Sequence, residues 1–268
     1  MIRTSVAAEL RRTNFAGRTV TLSEGVAVSG ALTIGAALRA RPVDALVLGG
    51  IGALGLADDV LEPRRRRDGA ATAKGLRGHF GALRRGELTT GAAKALGIPA
   101  LALLAAAAGP APRTGPMVVA DAALVAGTAN LANLLDLRPG RALKAVLPAA
   151  ALLALPPVHE GEERARSGRD VAWSALLPGL AALYPDLREH GMLGDAGANA
   201  LGAAVGIAAT RRAPVIARLG LLGAVVALTL ASEKVSFSAV IDRTPPLRSL
   251  DRLGRRAAPG PSPTGLPG

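Results

Sequence analysis

The sequence predicts an all-α fold: a polytopic transmembrane helix bundle of about eight spans. Three observations predict it. Nearly charge-free apolar runs recur along the chain. The apolar mass is Ala, Leu, Val and Gly, with aromatics at only 2%, whereas soluble chains of this length usually carry aromatic-rich cores. Small residues of this kind let helices approach closely in lipid. The basic residues behind the net charge of +12 concentrate in alternate connections between the runs.

The runs cover residues 20–38, 43–57, 89–109, 116–129, 143–158, 171–184, 196–209 and 215–231. Several fall short of the roughly 20 residues that cross a bilayer core, so short, tilted or partly re-entrant helices are expected. A soluble bundle would need a polar face on each helix, and these runs lack one. With the N-terminus inside and eight crossings, one set of connections holds 23 of the 32 Lys and Arg. The positive-inside rule makes that set cytoplasmic. Arg211, Arg212 and Arg218 fall on the other side, against the rule. Trp173 and Tyr184 bracket the sixth run, as interfacial aromatics do.

This placement of the basic residues points to a membrane rather than to nucleic acid. With no cysteine, a disulfide framework and a thiolate metal site are both excluded. The first 18 residues are too polar for a cleavable signal peptide. Residues 1–256 read as a single transmembrane bundle with cytoplasmic loops, the longest from 58 to about 88. The Pro/Gly/Ser-rich 257–268 stretch reads as a disordered tail.

Polar residues gather at the ends of three runs. Asp58 and Asp59 close the second, Asn130, Asn133 and Asp136 follow the fourth, and Asp195 precedes the seventh. The topology above brings all three groups to the cytoplasmic face. Acids beside a membrane core are costly to keep, which favours a functional role. Taken singly, the groups have plainer readings. Asn130 and Asn133, three residues apart, share a helix face and suit interhelical hydrogen bonding. Asp195 suits a helix N-cap. Together, carboxylates beside a strongly basic loop point to Mg²⁺ and phosphate. Magnesium favours one or two carboxylates plus phosphate oxygens and neutralises charge during phosphoryl transfer. Lys74, Arg77, Arg84 and Arg85 are candidates to hold a pyrophosphate, or simply to set the topology.

Four segments carry a family resemblance: Leu-Gly-Leu-Ala-Asp58-Asp59, Thr72-Ala73-Lys74-Gly75-Leu76-Arg77, Asn130-Leu-Ala-Asn133-Leu-Leu-Asp136, and Met192-Leu-Gly194-Asp195-Ala-Gly197. In order and spacing they resemble the polyprenyl-phosphate N-acetylhexosamine-1-phosphate transferases, the membrane family that includes the phospho-N-acetylmuramoyl-pentapeptide transferases. Asn14-Phe-Ala-Gly17-Arg18 is similar to that family's first cytoplasmic loop. The resemblance implies a Mg²⁺-dependent phosphotransferase of cell-envelope polymer synthesis in the bacterial plasma membrane. Polyprenyl phosphate would attack a UDP-amino sugar and release UMP. It also implies Asp58, Asp59 and Asp136 as catalytic residues, Lys74, Asn130 and Asn133 as substrate-binding residues, Asp195 as the metal ligand, and a possible homodimer.

The chain departs from the family in span number and in the loop after Asn133, which reads Asp136-Leu-Arg-Pro-Gly. The family's C-terminal histidine motif is absent, and an amphipathic stretch over 232–252 stands in its place. Those departures motivate an alternative, a non-catalytic homologue that binds lipid phosphate or an envelope-assembly partner. A transporter is disfavoured because the acids cluster at one face and no repeat symmetry is evident.

Overall fold

The computed structural model describes residues 6–67, 89–110, 113–156 and 163–256. Each of the eight apolar runs folds as a helix: α2 (Ser23–Arg39), α3 (Pro42–Arg67), α4 (Thr90–Ala107), α5 (Gly115–Leu135), α6 (Arg141–Ala154), α7 (Glu163–Leu187), α8 (Gly194–Arg212) and α9 (Val215–Ser232). A single turn, α1 (Val6–Glu9), opens the described chain. Two short helices, α10 (Phe237–Arg243) and α11 (Pro245–Arg252), close it. The all-α expectation holds. By length and composition, α4, α5 and α9 are apolar enough to cross a membrane.

Two features differ from the sequence reading. Helix α3 continues ten residues past its apolar run into the expected loop, where four successive arginines, Arg64–Arg67, favour helix despite Pro63 inside it. The segment around Asn14 is a hairpin rather than an open loop. Strands β1 (Arg11–Thr13) and β2 (Thr19–Thr21) pair antiparallel, with Arg12 opposite Val20. Asn14 builds the turn by accepting the Ala16 and Arg18 amides on Oδ1, at 2.9 and 3.0 Å. The 257–268 stretch lies outside the described residues.

Helix α8 is the hub. Only Asp195, Val205 and Arg212 of its residues escape burial, and it packs against α2, α3, α5, α6 and α7. Its Ala/Gly composition makes this possible, since small side chains let neighbouring backbones come close. At Gly25 of α2 an added Cβ would lie 1.7 Å from the Leu193 carbonyl oxygen. At Gly55 of α3 it would lie 2.4 Å from that of Asp195. No larger residue fits at either crossing. Helix α9 is the opposite case. Only Arg218 and Val225 are buried, it packs on α5, and it presents Ile216, Leu219 and Leu230 outward.

Candidate active site

Residues of three helices meet at one end of the bundle. Asp58 and Asp59 come from the middle of α3, Lys94 from the second turn of α4, and Asp195 from the first turn of α8. The Asp59 carboxylate accepts the backbone amides of Asp195 and Ala196, at 3.2 and 3.1 Å. It caps α8 from a neighbouring helix, which matters because the α8 N-cap residue, Leu193, supplies no side-chain cap. A carboxylate there satisfies orphan amides and suits the positive end of the helix dipole. Arg12 of the hairpin donates to the Asp59 carbonyl. On the other side of the pair, Lys94 Nζ lies 2.8 Å from Asp58 Oδ2 and also contacts Asp195 Oδ2. Asn199, one turn into α8, donates to the Asp195 carbonyl at 2.7 Å.

A second acidic group adjoins the first. Asp136 ends α5 and is buried, and its Oδ2 has no hydrogen-bond partner among the described residues. Asp186, near the end of α7, accepts the Gly140 amide at 2.7 Å. Both oxygens of Glu24, in the first turn of α2, are buried without a hydrogen-bond partner among the described residues. Glu189 ties the hairpin to the α7–α8 connection through Asn14 Nδ2 at 2.5 Å and Arg18 at 2.7 Å.

Crowding these carboxylates out of water shifts their protonation. Burial, reinforced by the charge of Asp195, pushes Asp59 up to about 7. Burial pushes Asp186 up to about 6. Burial and the nearby charge of Asp186 hold Asp136 well above the usual carboxylate range. Within the bridged pair, burial works to raise Asp58, but hydrogen bonds from Asp195 and Lys94 hold it below that range. Asp195 is raised, by burial first.

Three cavities open beside the acids. One of ≈ 520 Å³ is lined by Phe15, Arg18, Arg138, Arg252, Arg255 and Arg256, among others. Arg138 and Arg255 both stack on the Phe15 ring, 4.2 and 5.1 Å from its centroid. A cavity of ≈ 350 Å³ reaches Asp136 and Asp186. A third, of ≈ 250 Å³, runs past Lys94, Asn130 and Asn199 along the apolar wall of Ile98, Pro99 and Ala126.

The structure thus brings Asp58, Asp59 and Asp195 together, with Asp136 beside them at the Gly194 amide. Asn130 faces the Lys94 cavity, and Asn133 stands one turn further along α5. Lys74, with Arg77, Arg84 and Arg85, lies outside the described residues. Lys94 is not among the site residues read from the sequence. Its signal was present: it is the one charged residue in the 89–109 run, and an ionisable residue inside an apolar span marks a site. Glu24, the one charged residue in the 20–38 run, carried the same signal, whereas Asp186 and Glu189, in the connection after the sixth run, carried none. Compared with known proteins, the chain matches no family model and no curated sequence.

Proposed function

We propose that this protein is a membrane phosphotransferase that moves a sugar-1-phosphate from a UDP-amino sugar to polyprenyl phosphate, with its acidic end at the cytoplasmic face of a bacterial plasma membrane. One observation carries the reading. Asp58 of α3 and Asp195 of α8 converge on Lys94 of α4, Asp59 caps α8 beside them, and an arginine-lined cavity opens at the same end of the bundle. That combination supplies what phosphoryl transfer requires, hard oxygen ligands for a cation and guanidiniums for phosphate oxygens.

In this reading the ≈ 520 Å³ cavity takes the nucleotide half of the donor, its diphosphate against Arg18, Arg138 and Arg255 and its base near Phe15. The ≈ 250 Å³ cavity, polar at Lys94 and Asn130 and apolar beyond, takes the lipid phosphate and the start of its chain. An oxygen of that phosphate attacks the sugar-proximal phosphorus, the bond to the UMP oxygen breaks, and UMP leaves. Asp59 holds the α8 N-terminus in place, and Asp58 faces Lys94.

Mg²⁺ fits the donor set in a limited way. Among the described residues no three His, Asp or Glu gather closely enough to hold a metal by themselves. Asp58 and Asp195 offer two adjacent carboxylates, which matches the usual Mg²⁺ arrangement of one or two carboxylates completed by substrate phosphate and water. These two residues would hold the ion, which would neutralise charge on the transferring phosphoryl group.

Lys94 also motivates a second reading. Its ammonium already neutralises Asp58 and Asp195, as expected of a protein that binds lipid phosphate without catalysis. One assay separates the two. Purified protein in detergent, given Mg²⁺, polyprenyl phosphate and a panel of UDP-amino sugars, is expected to release UMP, and Asp195→Asn to abolish release. Folded protein that yields no UMP from any donor rejects the transferase reading.

A further inference from the structure

Arg211, Arg212 and Arg218 run against the charge rule that orients the rest of the chain, and the fold accounts for two of them. Arg211 forks onto Asp44 of α3 at 2.7 and 2.6 Å and donates to Ser167 at 2.9 Å. Arg218 lies 2.8 and 2.7 Å from the two oxygens of Asp121, and Arg113 contacts the same carboxylate. These guanidiniums are buried beside carboxylates that neutralise them and tie α3 to α8 and α5 to α9.

Arg212 is different. Among the described residues its Nη1 reaches only the Ala165 carbonyl, at 3.4 Å, and it has no carboxylate. Helices α7 and α8 cross at Gly168, where an added Cβ would lie 2.8 Å from Arg212 Cγ. Arg169 follows directly on α7. Its Nε is buried and lacks a hydrogen-bond partner among the described residues. Burial, and after it the charge of Arg169, weakens proton binding by Arg212. The crossing at Gly168 thus gathers Arg169 and Arg212, both half-buried, and among the described residues neither is paired with a carboxylate.

We propose that Arg169 and Arg212 bind the phosphate of an anionic phospholipid in the leaflet at this end of the bundle. A guanidinium fork matches phosphate oxygens bidentately. The position suits a lipid headgroup. Arg212 stands three residues before α9 begins at Val215, and α9 is one of the helices able to span a membrane. Exposed Ile216 and Leu219 follow on the first turns of α9 and offer apolar surface for an acyl chain. The site lies at the opposite end from the acidic cluster and does not depend on the transferase reading.

Native mass spectrometry of the full chain, released from neutral detergent with phosphatidylglycerol or phosphatidylcholine, tests it. The unchanged protein is expected to retain one phosphatidylglycerol. The double variant Arg169→Gln with Arg212→Gln is expected to retain roughly tenfold less, as the loss of charge-assisted hydrogen bonds implies. Millimolar inorganic phosphate is expected not to displace the lipid. Equal retention by both proteins, equal retention of the two lipids, or displacement by inorganic phosphate alone overturns the assignment. If the double variant melts early, Arg212→Lys keeps the charge and removes the fork. Retention is then expected to fall partway, and unchanged retention again overturns the proposal.

Discussion

Lys94 holds the candidate site together at the scale of single residues. It neutralises two carboxylates drawn from helices on either side of it, and each side chain is only about a fifth exposed (Lys94 20%, Asp58 17%, Asp195 23%). Lys94→Gln removes the charge and leaves two adjacent acids facing each other. We expect UMP release to fall at least a hundredfold, with a stability loss of about 2 kcal/mol or more, since breaking a partly buried pair strands its partners. Unfolding in detergent, run beside the activity assay, checks both.

The raised carboxylates make a second prediction. Asp59 and Asp186 hold protons in the folded protein to about 7 and about 6, whereas an unfolded chain releases them near 4. The folded state therefore binds more protons through that window, and stability falls as pH rises from about 4 to about 7, then levels. Asp186→Asn keeps an acceptor for the Gly140 amide and is expected to flatten the part of the slope between pH 4 and 6. Thermal unfolding across pH decides this, and an unchanged slope in the variant counts against it.

Helix α8 works as an element because its neighbours carry glycine where they cross it. Gly55→Ala would force a Cβ to 2.4 Å from the Asp195 carbonyl oxygen, a backbone atom with nowhere to go. We expect about 1–3 kcal/mol of destabilisation from overpacking. UMP release should fall as well, because Asp195 moves with the carbonyl. Gly30→Ala, in α2 with nothing within 4 Å, is the control. It should be neutral or stabilise by roughly 0.5–1 kcal/mol, because alanine is the better helix former. The unfolding midpoint should therefore fall for Gly55→Ala and hold or rise for Gly30→Ala. The C-terminal helices behave as docked elements rather than as a free surface segment. Asp251 of α11 is buried between Arg141 and Arg255, at 2.7 Å from each. Leu247 and Leu250 nevertheless remain exposed, as an interfacial helix requires.

Among the described residues, the ion pairs gather at the two ends of an apolar bundle. The arginine end is held by fully buried ion pairs, of which Arg211–Asp44 is the most enclosed. Arg211→Met alone leaves Asp44 charged and unpaired in the core, and should cost about 3–5 kcal/mol. Combining it with Asp44→Leu should recover most of that loss, because an apolar pair replaces an ionic one at little net cost. Chemical unfolding of both variants in detergent measures the difference. A double variant as unstable as the single one would mean that the pair supplies more than mutual neutralisation.

The sequence alone determined where the helices lie and which acids gather at one end. Apolar runs report a local property, the environment of consecutive residues. The alternation of run and connection then puts Asp58, Asp59, Asp136 and Asp195 on a common side. What it did not reveal depends on partners distant along the chain. Asp44 and Asp121 sit inside runs read as nearly charge-free, and their significance appears only with Arg211, 167 positions away, and Arg218, 97 away. Lys94 meets Asp195 across 101 positions. The hairpin at Asn14 is anchored by Glu189, which is 175 residues distant. Periodicity and composition carry no information about such pairings. Which charges neutralise each other, and which are left free for a ligand, is decided when α8 threads the centre of the bundle and its two ends collect side chains from every neighbouring helix.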